Sequence, residues 1–361
     1  MRLWNDRVQC LVISVVLFGN ASFVFAQSGN GSSVPVTSAP AVSPSSSVSP
    51  PTSAPPSAQS PVVPQDQSPA PIPLTKSDDS TFILHREVDE VSLHATVIDD
   101  KDRLITNLER SAFSVFEDGR PQPITSFRHE DIPVSMAILI DNSGSMREKR
   151  EKVNQAALNL IRSSNAQDEV FIVNFNDEEF LDQDFTSDIG KLKEALEKYE
   201  SRGGTALYDA VDGAADHMKK NSRRDKRVIF LVTDGEDNAS RDSLEQAVQA
   251  LQQEGGPTVY AIGLLGEEKQ RRARRALQLL AQRTGGIAFF PKTLDEVDQI
   301  SRTVAHDIRN QYSIGYKPSN PKSAGGYRQI RVDARAHGYS KLSVRTKSGY
   351  YANPQPAAPA K

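Results

Sequence analysis

Cysteine is nearly absent from this chain of 361 residues: Cys10 is the only one, and it lies in a segment with the marks of an export signal. Removal of that segment would leave no thiol, so a mature protein could form neither a disulfide nor a thiolate site and must be stable through its core alone. Histidine is also sparse, six residues scattered along the chain with no His-Glu-x-x-His pair. A Gly-x-Ser-x-Gly elbow and a phosphate-cradling loop ending in Gly-Lys-Ser/Thr are both missing. These absences argue against hydrolase, zinc-protease and nucleotide-handling chemistry, and the protein is not expected to be an enzyme. An excess of positive charge is lacking too. Against 43 Lys and Arg stand 46 Asp and Glu, a net charge of −3, which argues against nucleic acid as a partner. The longest apolar run, Leu11 to Phe18, is short for a bilayer and is followed by Asn20 and Ser22. No stable membrane insertion is therefore expected once the signal is removed.

What is present divides the chain into unlike parts. Residues 1–26 carry Arg2 and Arg7, then the apolar run, then Val24-Phe25-Ala26 with small residues where a signal peptidase reads. This predicts a secretory signal cleaved after Ala26 and a secreted or periplasmic, cell-envelope location. Residues 27–78 are dominated by Pro, Ser, Ala, Val and Gln, too poor in apolar side chains to offset chain entropy, and read as a disordered, extended spacer. Period-two alternation then runs through residues 79–130, in Phe82-Leu84, Val91-Leu93-Ala95-Val97, Phe113-Val115 and Ile124-Phe127. Turns are expected at Asp99 to Asp102 and at Asp118-Gly119-Arg120-Pro121. Similar alternation returns over residues 311–352, in Tyr312-Ile314-Tyr316, Ile330-Val332-Ala334 and Leu342-Val344, before a short disordered tail at 353–361. Each set is too small to be stable alone. They are expected to pair into one small antiparallel β-sandwich, with residues 131–310 inserted between its halves.

Within residues 131–310, short apolar runs at Met136–Ile140, Val170–Asn176, Val228–Thr233, Val259–Gly263 and Ile287–Phe290 have the character of strands covered on both faces. Stretches with helical spacing separate them, which predicts an α/β domain with a doubly wound, mostly parallel sheet.

The chemistry concentrates at three places in this region. Asp141-Asn142-Ser143-Gly144-Ser145 follows the first apolar run and offers a carboxylate and two hydroxyls at i, i+2 and i+4. Gly203-Gly204-Thr205 opens a helical stretch with another hydroxyl, and the strand ending at Thr233 continues into Asp234-Gly235-Glu236-Asp237. Strand ends on one edge of an open α/β sheet can bring such loops to one crevice. Hard divalent cations take oxygen ligands, so Asp141, Ser143, Ser145, Thr205 and Asp234 form one candidate metal site for Mg²⁺, with Mn²⁺ or Ca²⁺ also compatible. Asn142, Gly144, Met146, Arg147 and Tyr208 surround it as candidate partner-binding residues. Asp209, one turn along from Thr205, is a candidate outer residue orienting a water or a loop amide.

The order Asp-x-Ser-x-Ser, then Gly-Gly-Thr, then an apolar strand ending in Thr-Asp-Gly resembles the von Willebrand factor A domain and its metal-ion-dependent adhesion site. The resemblance implies that Ser143, Ser145 and Thr205 contact a metal through hydroxyls, that Asp141 and Asp234 act directly or through water, and that a carboxylate of a partner protein fills an open coordination position. The order of signal, spacer, β segment, α/β domain and β tail also resembles bacterial, notably acidobacterial, VWFA-related proteins. Metal-dependent adhesion to an acidic group is the expected function. The alternative is an envelope structural or assembly protein in which the metal mainly stabilises the fold and the β domain makes the contacts.

Overall fold

Alternation of apolar and polar side chains builds the first strands. The computed structural model describes residues 90–129, 131–198, 201–265 and 271–353. The expected signal, the spacer, the Phe82-Leu84 alternation and the tail beyond residue 353 lie outside the described residues. In β1 (Val91–Ile98), Val91, Leu93, Ala95 and Val97 are buried. Three further strands follow, β2 (Phe113–Glu117), β3 (Arg120–Gln122) and β4 (Ile124–Arg128).

The hairpin between β2 and β3 differs from the sequence expectation. Only Asp118 and Gly119 form the turn, with φ of 49° and 77°, and Glu117 pairs with Arg120 across it. Two consecutive left-handed residues match the right-handed twist of the flanking strands. Arg120 and Pro121 therefore belong to a strand, and it lies at a sheet edge, where a proline's missing N–H disrupts no ladder.

The α/β region comprises, in order, β5 (Val134–Asp141), α1 (Arg150–Arg162), β6 (Glu169–Phe175), β7 (Glu179–Thr186), α2 (Ile189–Glu197), α3 (Leu207–Asn221), β8 (Lys226–Thr233), α4 (Leu244–Leu251), β9 (Thr258–Gly263), α5 (Arg271–Thr284), β10 (Ala288–Phe289) and α6 (Glu296–Arg309). Its six strands are ordered β10-β9-β8-β5-β6-β7, all parallel except β7. Strand β5 is buried along its whole length, and its side chains alternate between two helix layers. Met136, Ile138 and Ile140 pack with Val153 of α1, Leu192 of α2 and Val304 of α6. Ala137 and Leu139 pack with Leu207 and Val211 of α3, Ala247 of α4 and Leu280 of α5. Ser243 caps α4 in a reciprocal box with Gln246.

Strand β7 has no counterpart among the expected elements. Its sequence, EFLDQDFT, is acidic and half-exposed because it lies at the open edge, so it lacks the apolar run of a strand covered on both faces.

The chain returns through β11 (Tyr312–Tyr316), β12 (Tyr327–Ala334), β13 (Ser343–Arg345) and β14 (Gly349–Tyr351). Two four-stranded sheets result, β13-β1-β11-β4 and β14-β12-β2-β3, so each mixes strands from before and after the α/β region. A single apolar core lies between them, with Leu93, Val115, Tyr312, Ile314, Val332 and Tyr350 among its members. Among the described residues, no helix is long and apolar enough to cross a membrane.

Where α6 ends and the sandwich resumes, the contacts are polar and buried. Lys226, at the start of β8, donates to the carbonyl of Ile308 in the last turn of α6, where a cation also favours the helix dipole. Burial lowers the Lys226 ammonium from its usual range to about 8. The folded protein then releases this proton near pH 8 while the unfolded chain holds it to about 10.4, so stability linked to this residue rises with pH across that window. Raising the pH from about 8 to about 10 is expected to stabilise the wild type relative to Lys226→Met by at most about 2 kcal/mol, read from urea midpoints. A pH-independent difference between the two would contradict this.

Candidate functional site

The strand order reverses between β5 and β8. The chain proceeds from β5 outward to β6 and β7, then crosses back to β8, β9 and β10 on the other side. Loops leaving the two central strands diverge at such a point and open a crevice beyond their carboxyl ends. Asp141 is the last residue of β5, Thr233 is the last of β8 and Asp234 follows it directly, so both carboxylates meet there.

Hydrogen bonds join three loops around this crevice. Thr233 Oγ1 donates to Asp141 Oδ2 at 2.6 Å, and the Ser143 amide donates to Asp141 Oδ1 at 2.8 Å. Ser143 Oγ and Ser145 Oγ lie 3.2 Å apart, and Ser145 Oγ donates to Asp234 Oδ1 at 2.7 Å. The amide of Gly144 donates to the carbonyl of Gly203 at 3.2 Å, which ties the first loop to the second. Asn238 ties the second to the third: its Oδ1 accepts from Thr205 N at 2.9 Å, and its amide donates to Thr205 O at 3.0 Å. Thr205 Oγ1 sits beside the third loop, 3.5 Å from where a Cβ on Gly235 would lie. Asp141, Ser143, Ser145, Thr205 and Asp234 are thus brought to one crevice.

The donor set suits a hard cation. Adjacent ligands in an octahedral Mg²⁺ shell of about 2.1 Å radius are about 3.0 Å apart, close to the Ser143–Ser145 hydroxyl separation. Among the described residues, no three His, Cys, Asp or Glu side chains converge as a metal-holding group, so an ion in this crevice would depend on hydroxyls as well as carboxylates. Burial raises the Asp141 carboxyl above its usual range, and the charge of Asp234 adds to that, while bonds from Thr233 and Ser143 oppose it. A cation between the two carboxylates would offset both the burial of Asp141 and its repulsion by Asp234.

The surrounding residues divide by burial. Gly144 and Arg147 are exposed and Tyr208 is half-buried, so these three are accessible from solvent. Asn142 and Met146 do not face a partner, contrary to the sequence reading. Asn142 is buried, with its amide bonded to Phe175 O at 2.6 Å and its Oδ1 accepting from Ser201 Oγ at 3.0 Å. Met146 is fully buried among α1 and β5 residues of the core. Ser145 is exposed and caps no helix, because it lies within a short 3₁₀ turn, Gly144–Met146, ahead of α1 and its N-cap Lys149.

Asp209 holds loop amides. Its carboxylate accepts from Arg241 N at 3.0 and 3.1 Å and from Asp242 N at 2.9 Å, which pins the far end of the loop that carries Asp234. Three residues at the site escaped the sequence reading. Thr233 adjoins a recognised aspartate and could have been suspected from position. Asp177 accepts from Gly204 N at 2.7 Å, and Lys149 forms an ion pair with Asp234. Neither carries a local signal of its role.

Residues 136–236, within the α/β region and including the crevice, match the family model for the von Willebrand factor type A domain. Such domains generally mediate protein–protein interaction or adhesion and commonly bind a divalent metal. An uncharacterised protein of Synechocystis is 27% identical over 108 residues, which span 29% of this chain and 26% of that protein. The chain thus matches about a quarter of that relative's length. Among solved structures, a von Willebrand factor type A protein from Catenulispora acidiphila is similar at 13% identity and a TM-score of 0.44, covering 74% of each chain. The vWF domain of the type V pili tip protein Mfa5 from Porphyromonas gingivalis is similar at 14% identity and a TM-score of 0.41, over 49% of this chain and 97% of that one.

If Asp209 chiefly latches the loop, Asp209→Ala should speed hydrogen exchange at the amides of Arg241 and Asp242 by about tenfold or more, while β5 and β8 keep their protection. Unchanged exchange at those two amides would show that the loop is held by other contacts.

Proposed function

We propose that this protein binds an acidic group of a partner protein through a divalent cation held by Asp141, Ser143, Ser145, Thr205 and Asp234. The observation that carries this reading is the convergence of Ser143 Oγ, Ser145 Oγ and Asp234 Oδ1 across 3.2 and 2.7 Å on loops from two different strands. Neutral hydroxyls supply much of the donor set, so a bound Mg²⁺, Mn²⁺ or Ca²⁺ would keep enough positive charge to attract a carboxylate from outside.

The chain's own residues do the rest. Thr233 and the Ser143 amide orient Asp141, Asn238 positions the loop of Thr205, and Gly144, Arg147 and Tyr208 are the solvent-accessible residues by which a partner would be selected. Hydrolysis is not part of the reading. The site pairs its carboxylates with hydroxyls and a lysine, and His217, a histidine of α3, bonds Asp184 of β7 at 2.8 Å instead. The signal-like residues 1–26 support a secreted or periplasmic setting.

Pull-down from an envelope extract tests this directly, using Mg²⁺ or EDTA beside Asp141→Ala and Thr205→Ala variants whose folding is checked by circular dichroism. A partner captured in Mg²⁺ should be lost on chelation and in both folded variants. A partner retained under all conditions would move the contact to the β-sandwich and favour an envelope structural role.

A further inference from the structure

Both oxygens of the Asp234 carboxylate are engaged, and by groups of different kinds. Oδ1 accepts from Ser145, a hydroxyl of the proposed metal site, whereas Oδ2 is paired with the ammonium of Lys149. The Asp234 side chain is fully buried, while that of Lys149 keeps 29% of its exposure, so the lysine side chain reaches solvent and the carboxylate does not. The backbone of Lys149 is fixed at the start of α1. Its amide donates to Met146 O at 2.8 Å, and its carbonyl accepts from Val153 N at 3.1 Å.

The next residue, Arg150, is buried and directed elsewhere, donating to Asn174 Oδ1 at 3.0 Å and to Leu196 O at 2.8 Å. Even so, its positive charge is felt by Asp141. Two carboxylates in the crevice are therefore offset by two cations of the chain, one in direct contact and one behind.

We propose that Lys149 is a resident counter-cation of Asp234 that a divalent ion must displace, so that it sets a low metal affinity for the site. The inference rests on the metal-site reading above. A divalent ion at the hydroxyls and an ammonium still on Asp234 would be like charges a few ångströms apart in a largely buried crevice, where repulsion is weakly screened. The long lysine side chain has an alternative, because its exposed end can swing into water without moving the helix. Once displaced, it leaves a net positive mouth, which favours an acidic group of a partner. Metal and acidic ligand then reinforce each other's binding.

Isothermal titration of the purified protein with MnCl₂ tests this, comparing wild type, Lys149→Gln and Asp141→Ala, with thermal melts run alongside. Lys149→Gln should bind Mn²⁺ about tenfold more tightly than wild type, and Asp141→Ala should bind it far more weakly. Equal or weaker binding by Lys149→Gln, with Mn²⁺ still bound by wild type and lost in Asp141→Ala, would overturn the role of Lys149 and leave the metal site standing. Absence of Mn²⁺ binding by both wild type and Lys149→Gln would overturn the metal site and this inference together. A Lys149→Gln protein that melts lower and also binds no tighter would assign Lys149 to pinning the start of α1.

Discussion

Asp141 and Asp234 leave neighbouring parallel strands at the same sheet edge with their carboxylates buried, and two like charges can share that crevice only if other groups compensate them. The local structure follows from this constraint. Each oxygen of Asp141 has a donor, the Ser143 amide on one and Thr233 on the other, and Asp234 has Ser145 and Lys149. One of those donors, the Ser145 hydroxyl, can instead present a lone pair to a cation, because a hydroxyl both donates and accepts. Ser145 can thus stabilise Asp234 directly or, in the proposed site, share an ion with it.

Glycine makes the approach of the second loop possible. Gly203 has φ of 76°, and a Cβ there would lie 2.1 Å from Asp177 Oδ2, while one on Gly204 would lie 2.6 Å from Asn238 Oδ1. Gly203 is favoured by its left-handed backbone, and the missing side chains at both glycines let the Asp177 carboxylate and the Asn238 amide approach the loop closely. Asn176 completes the cradle, its carbonyl accepting from Ala206 N at 2.6 Å. Thr205 is therefore placed by contacts with β6–β7 turn residues on one side and with the loop after β8 on the other. A substitution in either would move a proposed ligand without touching it.

The α/β region is joined to the sandwich through a buried polar chain. Arg345 of β13 donates to Asp307 of α6 at 3.0 Å, and Tyr260 of β9 donates to the other oxygen of Asp307 at 2.6 Å. Gln311 reaches from Tyr260 OH at 3.2 Å to Thr96 of β1 at 3.3 Å. Because each sheet of the sandwich contains strands from both sides of the insertion, the α/β region cannot separate as a terminal domain would. Its two ends are fixed where β4 precedes β5 and where α6 meets β11. Buried hydrogen-bonded groups at this junction specify one relative placement more sharply than apolar contacts would, since a shift would leave them unpaired.

The sequence pattern made some of this legible and hid the rest for identifiable reasons. Strands β5, β6, β8 and β9 announced themselves because both faces are covered, and β7 did not because its open edge admits acidic residues. The five proposed ligands could be picked out because hydroxyl and carboxylate types recur just after two strands and at the opening of a helical stretch. Asn142 and Met146 were misjudged for a different reason: nearness in sequence to Asp141 and Ser145 does not say which side of the turn a residue occupies, and both point into the protein. Lys149 illustrates the deeper limit. Its partner is 85 residues away, and the pair exists only because the strand order reverses between β5 and β8. Ligand types can be read along a chain, but counter-charges are assigned by topology. The balance of charge in this crevice is thus a property of the fold, and it becomes visible only once the strands are placed.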